Sequence, residues 1–222
     1  SSFVYYRPKD IVSGDFYWFD RVDDKVLFAA VDCTGHGVPG AFMSLVGYNG
    51  LNQAVKEHGR SKPSEILREL NRIAFDALHK DREQALVRDG MDMALCSYDP
   101  ARMVLEYAGA NCPLYLVRNG EVLQFAPDKN AIGSFELNGT AFTDHRIRLE
   151  QGDMVYVFSD GYADQFGGPK GKKYLYRRFR ELLAKVSIEP MEVQREHIHA
   201  EFRAWRGAHE QVDDILLIGV PA

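Results

Sequence analysis

Four aspartates stand where apolar, strand-like runs begin or end: Asp15 in Ser13-Gly14-Asp15-Phe16, Asp32 in Val31-Asp32-Cys33-Thr34-Gly35-His36-Gly37, Asp160 in Phe158-Ser159-Asp160-Gly161, and Asp213 in Val212-Asp213-Asp214-Ile215. Hydrophobic strands that end in carboxylates point to a hard-cation site. An oxygen-only donor set with few imidazoles suits magnesium or manganese better than zinc, and two such ions can activate a water for in-line attack on phosphorus. Gly14, Gly35, Gly37 and Gly161 border the aspartates, where a missing side chain lets the backbone turn sharply and lets carbonyls approach a cation. Taken singly, each aspartate is explained as a strand-end turn or a helix cap.

The elements that must position these residues are legible from periodicity. An aromatic run from Asp15 to Phe19 and a β-rich run from Lys25 to Val31 flank the polar turn 20–24 and read as a hairpin carrying Asp15 and Asp32. From Val38 to about His58 the pattern is helical, with Pro39 in the first turn and Gly59 as the stop. Ile66, Leu67, Leu70, Ile73, Ala74, Ala77 and Leu78 form the stripe of a second helix, with Ser61 a candidate N-cap. Strands follow at Met93 to Tyr98, Met103 to Ala108, Leu114 to Val117 and Glu121 to Phe125, the last two joined by the hairpin signal Asn119-Gly120. Met154 to Ser159 and Ile215 to Val220 are further strands. Between them lie a helix with Leu175, Phe179, Leu182, Leu183 and Val186 on one face and another from about Pro190 to Trp205. The expected class is α+β, antiparallel and strand-dominated, with helices in two groups.

A chain of 222 residues, 45% hydrophobic, can bury the core of one large domain, and nothing of low complexity divides it. The net charge of -5 gives no general attraction to nucleic acid or to an anionic membrane. No stretch reaches the roughly 18 apolar residues of a span, so direct membrane insertion by this segment is not expected. Three cysteines, Cys33, Cys96 and Cys112, suit a reducing cytoplasmic compartment better than a disulfide framework. The abrupt start in strand-like sequence reads as a domain cut from a longer protein. Other phosphoryl-transfer chemistries fit poorly. The Cys-x5-Arg spacing of Cys96 and Arg102 spans a strand-turn-strand without glycine, no Asp-x-Asp pair exists, and Gly167 to Lys172 misses the nucleotide-loop spacing and reads as a flexible basic loop.

The surviving set resembles a known family. Ser13-Gly14-Asp15-Phe16-Tyr17-Trp18, Asp32 through Ala41, Ala108-Gly109-Ala110-Asn111 with Pro113-Leu114, Gly152-Asp153 through Gly161, and Val212-Asp213-Asp214-Ile215 occur in the order seen in SpoIIE/RsbU-type bacterial phosphatases of the metal-dependent (PPM, 2C-type) superfamily. The likeness runs from about Tyr5 to Val220, with Asp89 to Leu95 and Asp160 to Gly168 resembling a branch often placed behind sensor modules. It implies an αββα sandwich, two packed antiparallel sheets flanked by helix pairs, with residues 1–222 as one output domain at the C-terminus of a longer, cytoplasmic or membrane-anchored signalling protein.

The resemblance also implies roles for individual residues. Asp32 matches the carboxylate bridging two manganese or magnesium ions, Cys33 the position whose backbone carbonyl binds one of them, Asp160 and Asp213 ligands of the second, and Asp15 a ligand or a residue behind the ligands. Asp92 could support a third, weaker ion, His36 could protonate the leaving serine oxygen, and Arg7 and Lys9 could contact phosphate. Leu216 stands where many relatives have threonine, and Asp214 should face away from the site. The implied activity is protein serine/threonine phosphatase, by direct attack of a metal-bridged water on a phosphorylated STAS-type anti-sigma-factor antagonist or similar partner-switching protein. A homodimer, and coupling of an upstream sensor to the site through the helices after Val38 and Pro63, are compatible with it. The alternative is a catalytically silent phosphoprotein-binding scaffold.

Overall fold

The computed structural model describes residues 2–35, 37–78, 90–133 and 142–222. Two five-stranded antiparallel sheets form its centre. One contains β1 (Phe3–Arg7), β6 (Leu114–Arg118), β7 (Glu121–Phe125), β9 (Met154–Phe158) and β12 (Ile215–Pro221), in the order β1-β12-β9-β6-β7. The other contains β2 (Phe16–Val22), β3 (Lys25–Cys33), β4 (Met91–Asp99), β5 (Val104–Ala110) and β8 (His145–Arg148), in the order β2-β3-β4-β5-β8. Alternate side chains of the central strands, buried on both faces, point to different layers. In β3, Phe28 and Ala30 face the other sheet beside Val157, Leu216 and Ile218, while Leu27, Ala29 and Val31 face helices.

Helices α1 (Gly37–Asn52) and α2 (Pro63–Leu78), linked through a short π-helical turn (Gln53–Glu57), cover the β3 sheet through Met43, Leu51, Ile66, Leu67 and Leu70. On the far side, α4 (Leu175–Val186) and α5 (Met191–Arg206) cover the β9 sheet through Phe179, Leu183, Ile198 and Phe202. The result is the expected αββα sandwich. A one-turn α3 (Gly161–Asp164) follows β9, and β10 (Phe166–Gly167) pairs with β11 (Lys172–Lys173). The Asn119-Gly120 turn holds both residues at positive φ, 51° and 80°, as a two-residue hairpin requires.

Two local expectations are corrected. Ser61 lies outside the start of α2; the Asp144 carboxylate, just before β8, instead accepts from the Ser64 N–H at 2.9 Å and from its hydroxyl. The segment after Phe166 is a hairpin fastened on α5: the Gly168 N–H donates to the Trp205 carbonyl at 2.8 Å. Helix α1 is unusual in carrying no charged residue, and Val38, Phe42, Leu45 and Tyr48 expose an apolar stripe along it.

Candidate metal centre

Asp32 occupies the penultimate position of β3 and pairs across the ladder with Asp92 of β4. Two carboxylates on neighbouring strands at the end of a sheet repel one another, so something must hold each in place. Asn111, at φ 57°, donates from Nδ2 to Asp92 Oδ1 at 2.7 Å. The loop after Asp32 is tied to the start of β4, the Thr34 N–H and hydroxyl both donating to the Gly90 carbonyl at 2.9 and 3.0 Å.

Asp15 precedes β2 and is 4% exposed. The Ser159 hydroxyl is hydrogen-bonded to its carboxyl and itself accepts from the Leu216 N–H at 2.9 Å, joining the two sheets at this end of the sandwich. The other oxygen, Oδ2, is buried with no hydrogen-bond partner. Gly14 lets the Asp15 segment pass close to the Asp32 loop: a Cβ there would stand 2.6 Å from the Gly35 carbonyl oxygen and 3.2 Å from that of Cys33. The Cys33 carbonyl thus borders the same gap.

Asp160 and Asp213 enter from the other sheet. Asp160 follows β9 as the residue before α3 and makes no capping bond of its own, which leaves its carboxylate available. Asp213 Oδ1 accepts from the N–H of Asp214 at 2.8 Å. Asp214 is a structural clamp, its two oxygens accepting from the N–H groups of Lys9 and Gly14 at 2.8 Å each. Because α3 lies directly on this clamp, a Cβ on Gly161 would overlap the Asp214 carbonyl. Gly161→Ala is therefore expected to cost about 3 kcal/mol of stability, measurable by urea denaturation.

The charges of these residues act on one another. Burial, then the charges of Asp214, Asp213 and Asp160, raise the Asp15 carboxyl from 3.8 to about 8 against the bond from Ser159. Burial and then Asp15, Asp160, Asp213 and Asp92 push Asp32 well above the usual carboxylate range. Asp160 rises to about 6 through burial and then Asp164, Asp213 and Asp92, a smaller displacement than that of Asp15. Asp92 is raised by burial against its bond to Asn111. Carboxylates that raise each other in this way, beside an orphaned buried oxygen, are complementary to a hard divalent cation. The Cys33 thiol is buried and its pKa is raised, first by burial and then by Asp32, so it offers neither a thiolate ligand nor a nucleophile. Among the described residues, no three acidic, histidine or cysteine groups already form a closed ligand cluster.

Other sequence candidates separate cleanly. His36 lies outside the described residues. Arg7 is engaged elsewhere, its Nε donating to Gln211 Oε1 at 2.6 Å and its guanidinium lying over Phe202. Cys96 is fully buried between the sheets and Arg102 pairs with Asp99 at 2.7 Å, which removes the cysteine-phosphatase arrangement. Sequence reasoning missed the residues that hold the site. Besides Asn111 and Ser159 these are Gln211, which donates to the Asp213 carbonyl at 2.8 Å, and the fully buried Gln165, whose Nε2 donates to the Glu210 carbonyl at 2.8 Å. Asn111, Ser159 and Gln165 lay inside the quoted motifs but without an assigned role, whereas Gln211 lay outside them.

Comparison with known proteins gives concordant likenesses. Residues 22–221 match the family model for Stage II sporulation protein E (SpoIIE). The phosphoserine phosphatase RsbU of Bacillus subtilis (strain 168) is 27% identical over 160 residues, 71% of this chain and 44% of RsbU, so the chain spans less than half the length of that relative. The SiaA-PP2C domain of Pseudomonas aeruginosa superposes with a TM-score of 0.90 at 31% identity, covering 100% of this chain and 85% of that one. RsbX, solved in complex with magnesium, shares the fold at 15% identity, TM-score 0.65, with 98% and 92% of the two chains covered.

Proposed function

The chain belongs to the SpoIIE family, and from that premise we propose that it is a metal-dependent protein serine/threonine phosphatase acting on a phosphorylated STAS-type antagonist or similar partner-switching regulator. The observation that carries the reading is the unpartnered, buried Asp15 Oδ2 among carboxylates that raise one another's pKa. Asp32, the Cys33 carbonyl, Asp160, Asp213 and Asp15 would hold two manganese or magnesium ions, with Asp92 available to a weaker third. When bound, the ions supply Lewis acidity, lowering the pKa of water and neutralising the phosphoryl oxygens.

The chain's own contribution is positional. Asp32 reaches the site from one sheet and Asp160 and Asp213 from the other, so the rigid sandwich fixes the separation of the donors. The buried Cys33 thiol is no nucleophile, and the reading gives the attack on phosphorus to water, as the family resemblance implies, with no phosphoenzyme. His36 is assigned the proton for the leaving serine oxygen. The competing reading is a catalytically silent phosphoprotein-binding scaffold, which would bind the phosphoprotein without turnover. Phosphate release from a phosphoserine STAS protein with manganese separates the two. Turnover supports the enzyme, whereas tight binding of the phosphoprotein without release supports the scaffold.

The exposed stripe of α1 is assigned to a homodimer contact. It is uncharged, so two copies meet without repulsion, and it begins directly after the Asp32 loop, which gives association a route to the site. Phe42→Glu is expected to weaken self-association at least about tenfold in sedimentation velocity experiments while the monomer stays folded. Identical sedimentation of the variant would remove the assignment.

A further inference from the structure

Along α5, Arg195, His199, Arg203 and Arg206 recur at i, i+4, i+8 and i+11, forming one stripe beside the edge strand β1. The Tyr5 hydroxyl of β1 lies 3.3 Å from His199 Nδ1, and a cavity of about 320 Å³ opens here, lined by Val4, Tyr5, Tyr6, Arg195, Glu196 and His199. The cationic groups converge. Burial and then the charges of Arg7 and Arg203 lower the His199 pKa, and Arg7 and Arg206 both act on Tyr5.

Ion pairs hold only some of the arginines among the described residues, and those of the stripe are not among them. Arg72, Arg102, Arg118 and Arg177 each pair with a carboxylate. Arg195, Arg203 and Arg206 form no ion pair among the described residues, although the chain holds 32 acidic residues against 27 lysines and arginines. Arg206 Nε is buried and hydrogen-bonds nothing. A buried guanidinium nitrogen without an acceptor is costly to leave unsatisfied. Glu196 is the one acidic residue lining the cavity.

The strand beside the stripe also leads to the metal centre. Gln211 donates from Nε2 to the carbonyls of Arg7 and Asp213, at 2.9 and 2.8 Å, so a single side chain joins β1, against which α5 packs, to the Asp213 loop. From Arg206 to Arg195 the helix advances about 16 Å at 1.5 Å per residue, the length of about five residues of extended chain.

We propose that this arginine stripe docks an acidic segment of about five residues that flanks the phosphorylated serine of the substrate. The inference rests on the phosphatase reading and adds the chemical character of the substrate to it. Guanidinium groups bind carboxylates through paired N–H donors, and a cationic track on a net acidic protein steers an acidic chain into one register.

The test uses synthetic phosphoserine peptides of equal length, with five Asp or Glu residues on either side of the phosphoserine, or with Ser and Ala in their place. The wild type is expected to favour one acidic peptide by about tenfold in kcat/KM at low ionic strength, with the preference collapsing in high salt. Arg203→Glu, at an exposed position, should abolish the preference, and Arg195→Glu on the same stripe serves as a second variant. Binding of the fluorescently labelled acidic phosphopeptide, followed by anisotropy in chelator, gives a readout independent of turnover. Equal binding and equal preference in wild type and both variants would overturn the docking stripe. So would a neutral peptide with a second phosphate outcompeting the acidic one. If no peptide is hydrolysed but the anisotropy difference remains, the phosphatase reading fails and the stripe stands.

Discussion

Asp32→Asn is expected to lower kcat/KM for a phosphoserine peptide by at least about a thousandfold, and at the same time to stabilise the metal-free protein. Both effects have one origin. Asp32 sits beside Asp92 on the neighbouring strand, and its carboxyl is raised by burial and by four other aspartates. A group in that position is unfavourable as an anion until a cation arrives. Replacing it with an isosteric amide removes a negative charge from the cluster, so the chelator-treated variant should gain on the order of 1 kcal/mol and melt above wild type. With manganese the order reverses, because wild type gains binding energy that the variant cannot recover. Paired melting curves, with metal and with chelator, check both halves. A metal-free variant less stable than wild type would mean that Asp32 is held by protein contacts rather than poised for a cation.

The second large effect is in pH. Asp15 carries its proton up to about 8 in the folded protein and releases it near 3.8 in the unfolded chain. Over that interval the native state binds more protons than the unfolded state, so metal-free stability is fully present below the lower value and is lost as pH rises through the upper one. Asp160, raised to about 6, acts in the same direction over the lower part of the window. Between about pH 5 and about pH 8 the chelated protein is expected to lose roughly 4 kcal/mol, most of it through Asp15. Saturating manganese should flatten or invert this slope, since ion binding draws on deprotonated carboxylates. A metal-free melting temperature that stays level or rises across the window would show that the acidic cluster is not coupled as described.

The parts of this molecule legible in its sequence are those set by local pattern. Strand alternation and the Asn119-Gly120 turn located the central hairpins, and the apolar stripes located α2, α4 and α5 to within a few residues. The four aspartates were legible because strand ends are marked by the loss of hydrophobic runs. What escaped was set by distance. Asp144 reaches α2 from 80 residues away, and Asp214 holds Gly14 from 200 residues away. Gln165 looks like an ordinary loop glutamine until the fold buries it. The four-residue β8 is too short to show a period against its charged neighbours. The ligand candidates thus announce themselves by type and position, while the residues that aim them are defined only once the chain has closed on itself.

The most direct test of the central claim is phosphate release from one phosphoserine peptide, measured on a single preparation as manganese is titrated in and then removed with chelator, in wild type and in Asp213→Asn. Release is expected to rise to saturation with manganese, to vanish with chelator, and to be lost in the variant. Release that persists in chelator, or that survives intact in Asp213→Asn, would contradict that claim.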